Sequence, residues 1–246
     1  MPLKASPDAQ AQLLELQAID IRLQQLDHKM KTVPELAVIT ELTGRFDELQ
    51  HELSPATGSL EDARLELGRV EADVAVVDGR VARDVARRDA SSSVKDVAGL
   101  ESELVGLRNR QIELEEIELE VMERVESLEA ELARLRSDSE ELQAKIAAAA
   151  VERDAALGIL SSEHAHSAAN RSVIAGTLPV ELLALYERQR GRYGFGASLL
   201  RGGVSSASGL KLNENDVALV RAAAPDDVLL CPDSNAILVR TGESGV

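Results

Sequence analysis

Few side chains in this sequence are of types that perform chemistry. It has one cysteine, Cys231, four histidines (His28, His51, His164 and His166) and no tryptophan. A thiol becomes a useful nucleophile when a base lies beside it, and no such partner is recognisable around Cys231. His164 and His166 are candidates for a metal pair. Two positions apart on a helix, however, they point to different sides, so surface histidines are expected. The one concentration of functional groups is Tyr186, Arg188, Arg190, Arg192, Tyr193, Phe195 and Arg201. Residues 181–203 carry four Arg against two Glu, a net +2, in a chain of net charge −16. Interleaved rings and cations suit contact with single-stranded nucleic acid or phosphate. The competing reading is that the rings pack a C-terminal module against the base of a coil, with the arginines solvated.

The elements that position this cluster are long helices. Only two Tyr and two Phe occur in 246 residues, and the apolar fraction of 44% is mostly Leu, Ala and Val. That composition belongs to long helices and coiled coils rather than to a large enzyme-like globule. Apolar residues recur alternately three and four apart from Ile39 through Leu42, Phe46, Leu49 and Leu53 to Val81. This spacing is the a/d seam of a left-handed coiled coil. A second run extends from Val97 to Ala149, broken by Gln111, Glu118 and Ser139, and a third from Leu16 to Val33. Ser6-Pro7 predicts a helix start, Thr32-Val33-Pro34 an interruption, and Ser91-Ser92-Ser93 a hairpin tip. Pro55 predicts a kink. Arms over 7–89 and 94–176 are of equal length, roughly 120 Å at 1.5 Å per residue. The expected fold is therefore mainly α, a long antiparallel coiled-coil hairpin with a broken first arm. A three-helix bundle, with residues 7–31 packed beside both longer helices, buries the same seams.

Half of the 16 glycines lie in residues 191–246, which marks a different kind of structure. The expected division is a hairpin over 1–178, a short helix from Val180 to Arg190 with a Gly-rich linker over 179–203, and a small module over 204–246. Strand candidates are 208–212 and 236–240, with a helix opening after Asn213 between them.

Three segments of this part resemble a bacterial family with an N-terminal coiled coil and a C-terminal four-cysteine zinc ribbon. They are Pro179-Val180-Glu181-Leu182 leading to Tyr186-Glu187-Arg188, then Gly203 to Leu212, and Leu230-Cys231-Pro232-Asp233-Ser234-Asn235-Ala236-Ile237-Leu238. The resemblance implies zinc held by two Cys-x-x-Cys knuckles. Aligned to them, this sequence has Ser205, Ser208, Cys231 and Ser234, so three of the four ligand positions are serine. Structural zinc takes thiolate or imidazole donors. A hydroxyl does not ionise at neutral pH, and no histidine lies nearby. The expectation is a degenerate ribbon with no zinc and no other cofactor. Engineered Cys→Ser changes are the other reading, and would be expected to replace Cys231 too.

The acidic chain repels phosphate backbones over most of its length. The N-terminus lacks an apolar signal core, and no stretch approaches the ~20 apolar residues of a membrane span. With a single cysteine, the expectation is a cytoplasmic protein with no membrane partner. No catalytic constellation is present. The resemblance implies an adaptor or regulatory role, since such proteins are linked to transcription, secretion or flagellar partners and to nucleic acid. The expected function is a non-enzymatic adaptor that contacts protein partners through the coiled coil. A nucleic-acid-binding regulator acting through the Arg/aromatic junction and the ribbon is the alternative. Homodimerisation is open, because Ile112, Ile117 and Leu119 could pair two hairpins.

Overall fold

A computed structural model describes residues 3–245. In chain order the elements are α1 (Pro7–Lys31), α2 (Pro34–Ala90), α3 (Val94–Thr177), α4 (Val180–Tyr193), β1 (Ala197–Arg201), β2 (Val204–Ser205), α5 (Glu214–Ala222), β3 (Leu229–Leu230) and β4 (Ile237–Val239). The helix boundaries follow local chemistry. Ser6 caps α1, its hydroxyl accepting from the Ala9 amide at 3.2 Å, with Pro7 as the first helical residue. Pro34 opens α2, which runs on through Pro55 to Ala90. Ser91–Ser93 separate α2 from α3, and Ser93 Oγ accepts from the Asp96 amide at 3.4 Å. Asn213 caps α5 by accepting from the Asp216 amide at 2.9 Å.

The chain divides into two compact units, 35–151 and 1–34 with 152–246. The first is an antiparallel helical hairpin. Cross-arm contacts fix its direction: Gln50 donates to Ser139 Oγ at 2.9 Å, Arg64 pairs with Glu129, and Arg124 pairs with Glu66. As one arm's numbers rise the other's fall. The seam is the 3–4 spacing of the sequence, with Leu60, Ala63, Val125 and Leu132 buried together and Leu53, Ala56, Leu67 and Leu128 packed against them. Each arm is about 85 Å long. Ser139, a polar break in the seam, meets a polar partner in Gln50.

In the second unit α1 lies antiparallel to residues 152–177 of α3. Asp20 pairs with Arg171, His164 Nε2 lies 3.4 Å from Asp27, and the Thr177 hydroxyl contacts Gln12. Residues 7–31 thus pair with the end of the return helix. Beyond α4 lies a four-stranded sheet of order β2-β1-β4-β3, in which β1 and β4 run parallel and the other pairs antiparallel. The segment before α1 joins this module: Lys4 bridges Asp227, and the Ala5 amide donates to Asp226 O at 2.9 Å. Arg240, just past β4, closes the C-terminal end of α5 by donating to the carbonyls of Ala223 at 3.1 Å and Ala224 at 2.6 Å. A cation at orphan helix carbonyls is favoured by both hydrogen bonding and the helix dipole.

Three boundaries differ from the sequence reading. Residues 191–203 are not a linker: α4 continues to Tyr193, and Ala197–Arg201 is the strand that pairs with both β2 and β4. The compact C-terminal unit is not 204–246 alone, because it includes α1, the end of α3 and α4. Residues 208–212 contribute only a single bridge, Val204 to Lys211. Each of these depends on tertiary pairing that local composition does not report.

Leu132 is 4% exposed in the hairpin seam. Leu132→Ala removes seam volume that stiff helices refill poorly, so it should cost about 2–4 kcal/mol. Urea titration followed by circular dichroism checks this, and Leu119→Ala, at a position 61% exposed, serves as the near-neutral control.

Candidate functional site

The structure splits the Arg/aromatic cluster into a buried half and an exposed half. Tyr186 is fully buried on the inner face of α4 and offers no ring face to a ligand. Its hydroxyl donates to Asp20 Oδ2 at 2.6 Å. Asp20, 1% exposed on α1, also accepts from Arg171 of α3 (2.6 Å to Oδ1, 3.2 Å to Oδ2) and from Arg190 of α4 at 2.9 Å. Glu187 then bridges the two guanidiniums, accepting from Arg171 at 2.5 Å and from Arg190 Nε at 3.2 Å. Two carboxylates thus face two guanidiniums, and both oxygens of Asp20 accept hydrogen bonds. This arrangement removes Tyr186 and Arg190 from the proposed contact surface, because both are committed to packing α4 on α1.

The same node orders the next turn of chain. Gln17, one helical turn before Asp20, accepts through Oε1 from the Gly196 amide at 2.7 Å and the Ala197 amide at 3.2 Å. Gly196 lies against the Tyr186 ring, and a Cβ there would sit 2.4 Å from ring carbons. Only glycine fits that approach. Gly194, with φ of 88°, supplies the left-handed cap that ends α4. The first strand is therefore launched by a glycine pair and a buried glutamine.

The electrostatics agree with the geometry. The hydrogen bond that Arg171 donates to Asp20 holds its guanidinium well above its ordinary range, against the opposing effect of burial and with help from Glu187. Burial first, and then the hydrogen bond to Asp20, push the Tyr186 phenol far up, which Arg190 and Arg171 only partly offset. Asp20, Gln17 and Arg171 were not singled out from the sequence. The available signal was two polar residues, Gln17 and Asp20, falling on the face of α1 defined by Leu13 and Leu16.

The exposed half consists of Arg188, Arg192, Tyr193 (45% exposed), Phe195 (37% exposed) and Arg201. Arg201 pairs with Glu243 at 3.2 Å, while Arg188 and Arg192 make no ion pair among the described residues. Two rings and two cations thus remain available at the end of α4.

Ser205, Ser208, Cys231 and Ser234 occupy two turns with the same backbone bonding. The Ser205 and Cys231 amides donate to Leu210 O (3.0 Å) and Ala236 O (2.8 Å), each five residues on. Their carbonyls accept from the Gly209 (2.8 Å) and Asn235 (2.9 Å) amides, and both of these residues have positive φ, 69° and 58°. Ser208 Oγ accepts from the Leu210 amide and Ser234 Oγ from the Ala236 amide. The turns face each other, with Cys231 Sγ 3.4 Å from Ser205 Oγ, and both residues are fully buried. Among the described residues no group of three or more His, Cys, Asp or Glu side chains could hold a metal ion, and no helix is long and apolar enough to cross a membrane.

The pattern of the CT398-like coiled coil hairpin domain matches residues 16–194, from the inner face of α1 to the glycine that caps α4. The chain belongs to this family. Its CT398-like relatives include an uncharacterized protein of Mycobacterium tuberculosis, 33% identical over 240 residues, covering 97% of this chain and 98% of that one. A solved structure from Mycobacterium smegmatis is 35% identical, with a TM-score of 0.87 over 97% of this chain and 100% of the other. CT398 from Chlamydia trachomatis, 17% identical, shares the CT398-like fold with a TM-score of 0.66 over 94% of this chain and 97% of that one.

Removing the shared acceptor leaves the buried phenol without its short hydrogen bond and the two part-buried guanidiniums with Glu187 as their one remaining carboxylate. Asp20→Ala should therefore cost about 3–5 kcal/mol, and Gly196→Ala about 1–3 kcal/mol by overpacking, both read by chemical denaturation. Tyr186 also predicts a pH slope. Its folded pKa is raised, so above about pH 10 the unfolded chain releases a proton that the folded chain keeps, and stability falls as pH rises. Denaturation between pH 9 and 11 should show this extra slope in the natural chain and not in Tyr186→Phe.

Proposed function

We propose that the protein is a non-enzymatic adaptor that presents its helical hairpin to a protein partner. One observation carries this reading. Val105, Ile112 and Leu119 are spaced seven apart on α3, inside the hairpin unit, and are 57%, 55% and 61% exposed. They form a second apolar stripe outside the seam that holds the arms together. Glu113, Glu115, Glu116, Glu118 and Glu120 surround its centre. A helix with its own heptad face and flanking Lys or Arg suits such a stripe in shape and charge. A second copy of the hairpin is one helix-bearing candidate. The adaptor reading carries no catalytic step, and nothing in it requires a cofactor.

The C-terminal module fits a degenerate zinc ribbon in this proposal. Its support is the pair of matching turns, placed where the resemblance puts the two knuckles. Three hydroxyls and one thiol do not fit zinc, which takes thiolate or imidazole donors at structural sites.

A second reading rests on the exposed half of the junction. Arg188, Arg192, Tyr193 and Phe195 offer stacking faces beside cations, which suits single-stranded nucleic acid. The net charge of −16 confines any such contact to this end of α4.

The two readings separate in one experiment. The full chain, with and without Val105→Glu, Ile112→Glu and Leu119→Glu together, is used to capture partners from its native cell, with and without nuclease. The adaptor reading predicts that partners survive nuclease and are lost with the triple variant. Partners lost to nuclease and retained by the triple variant favour the nucleic-acid reading, and Arg188→Ala with Arg192→Ala should then abolish them.

A further inference from the structure

We infer that the two facing turns of the C-terminal module are closed by a buried hydroxyl–thiol chain in place of a metal ion, so that the module folds and stays folded without metal. The inference rests on the ribbon reading and adds what holds the turns together. The participants are Ser198 of β1, Ser205 and Cys231, each fully buried. Ser198 Oγ lies 2.7 Å from Ser205 Oγ, which lies 3.4 Å from Cys231 Sγ. The line is continuous from one turn to the other.

Both ends of the line are tied to backbone. In the first turn the Ala207 amide donates to Ser198 Oγ at 3.1 Å. A turn of this kind directs successive amides into its concavity, where an anionic sulfur or a cluster normally receives them. Here a neutral hydroxyl from the adjacent strand receives one. In the second turn Cys231 is held by its own backbone, its amide donating to Ala236 O at 2.8 Å and its carbonyl accepting from the Asn235 amide at 2.9 Å. Burial pushes its thiol up, but the polar groups of the two turns, the Ser205 hydroxyl foremost, outweigh that and leave it below its ordinary value. The frame for gripping a sulfur is thus present in both turns, and it is filled by groups that satisfy one another.

The chemistry of the donors decides against a metal. Zinc displaces protons from thiols readily but not from serine hydroxyls, and one thiolate leaves three coordination positions without an anionic or imidazole donor. Ser198 gives a further reason. Its hydroxyl bonds Ser205 and comes within 3.3 Å of Ser206 Oγ, so the polar groups of the first turn are already paired. Apolar packing completes the closure, since Leu200, Leu212, Val220 and Leu238 surround Cys231.

Three measurements on the full chain test the inference. The purified protein should contain well under one zinc per chain, and its unfolding midpoint should be the same with excess chelator as with added zinc. Near-stoichiometric zinc, or a midpoint lowered by chelator, overturns metal-free closure. Ser205→Ala, which breaks the line at its centre, should lower the unfolding midpoint by about 3–6 °C, and no change overturns the role of the hydroxyl. The combined variant Ser205→Cys, Ser208→Cys, Ser234→Cys should bind one zinc per chain and gain a midpoint that chelator reverses. Failure of that variant to bind zinc overturns the ribbon reading itself, whereas the first two results bear only on the closure.

Discussion

The second unit is organised around one buried carboxylate. Asp20 is withdrawn from water on α1 and receives hydrogen bonds from side chains of α3 and α4. A charge in that position is tolerable only because Arg171 and Arg190 lie against it and Glu187 balances the second cation. Displacing α4 would withdraw Arg190 and the Tyr186 hydroxyl from Asp20 and leave it with Arg171 alone. The node therefore sets where α4 lies, and through the Tyr186 ring and Gly196 it sets where β1 begins. A leucine at the same place could bury as much apolar area, but it would not fix the rotation of three helices about one point.

The hairpin unit is built on a different principle. Its seam is a repeated, shallow apolar contact with no single indispensable residue, and its cross-arm ion pairs are exposed and individually weak. Such a structure tolerates variation in the polar residues of its flanks. Its outer surface can change without loss of the fold, which is what an interaction arm requires. The junction combines both properties, with an interior paired around Asp20 and an exterior of exposed arginines and rings.

How much of this was legible in the sequence depended on the range of the interaction. Helix starts at Ser6, Pro34, Ser93 and Asn213 are decided by residues three or four apart, and the sequence states them directly. The seam from Ile39 to Val81 is equally plain, because its period survives over many turns. The node was hidden for the opposite reason: Asp20 and Arg171 are 151 positions apart, and nothing local marks either as buried. Strand β1 was concealed by glycines that resemble a linker, although Gly194 and Gly196 serve a cap and a close approach to Tyr186. Arg240 reads as a surface cation until α5 is brought to it. The serines at 205, 208 and 234 marked the two turns in advance, but Ser198, which bonds Ser205 from the adjacent strand, lies outside any motif.

Native-state hydrogen exchange on Asp20→Asn tests the central claim most directly. The substitution keeps the size of the side chain and removes its charge. If the node unites the second unit, exchange should accelerate together in α1, residues 152–177, α4 and β1, while residues 35–151 keep their natural protection. Acceleration confined to the few residues around position 20, or none at all, would contradict it.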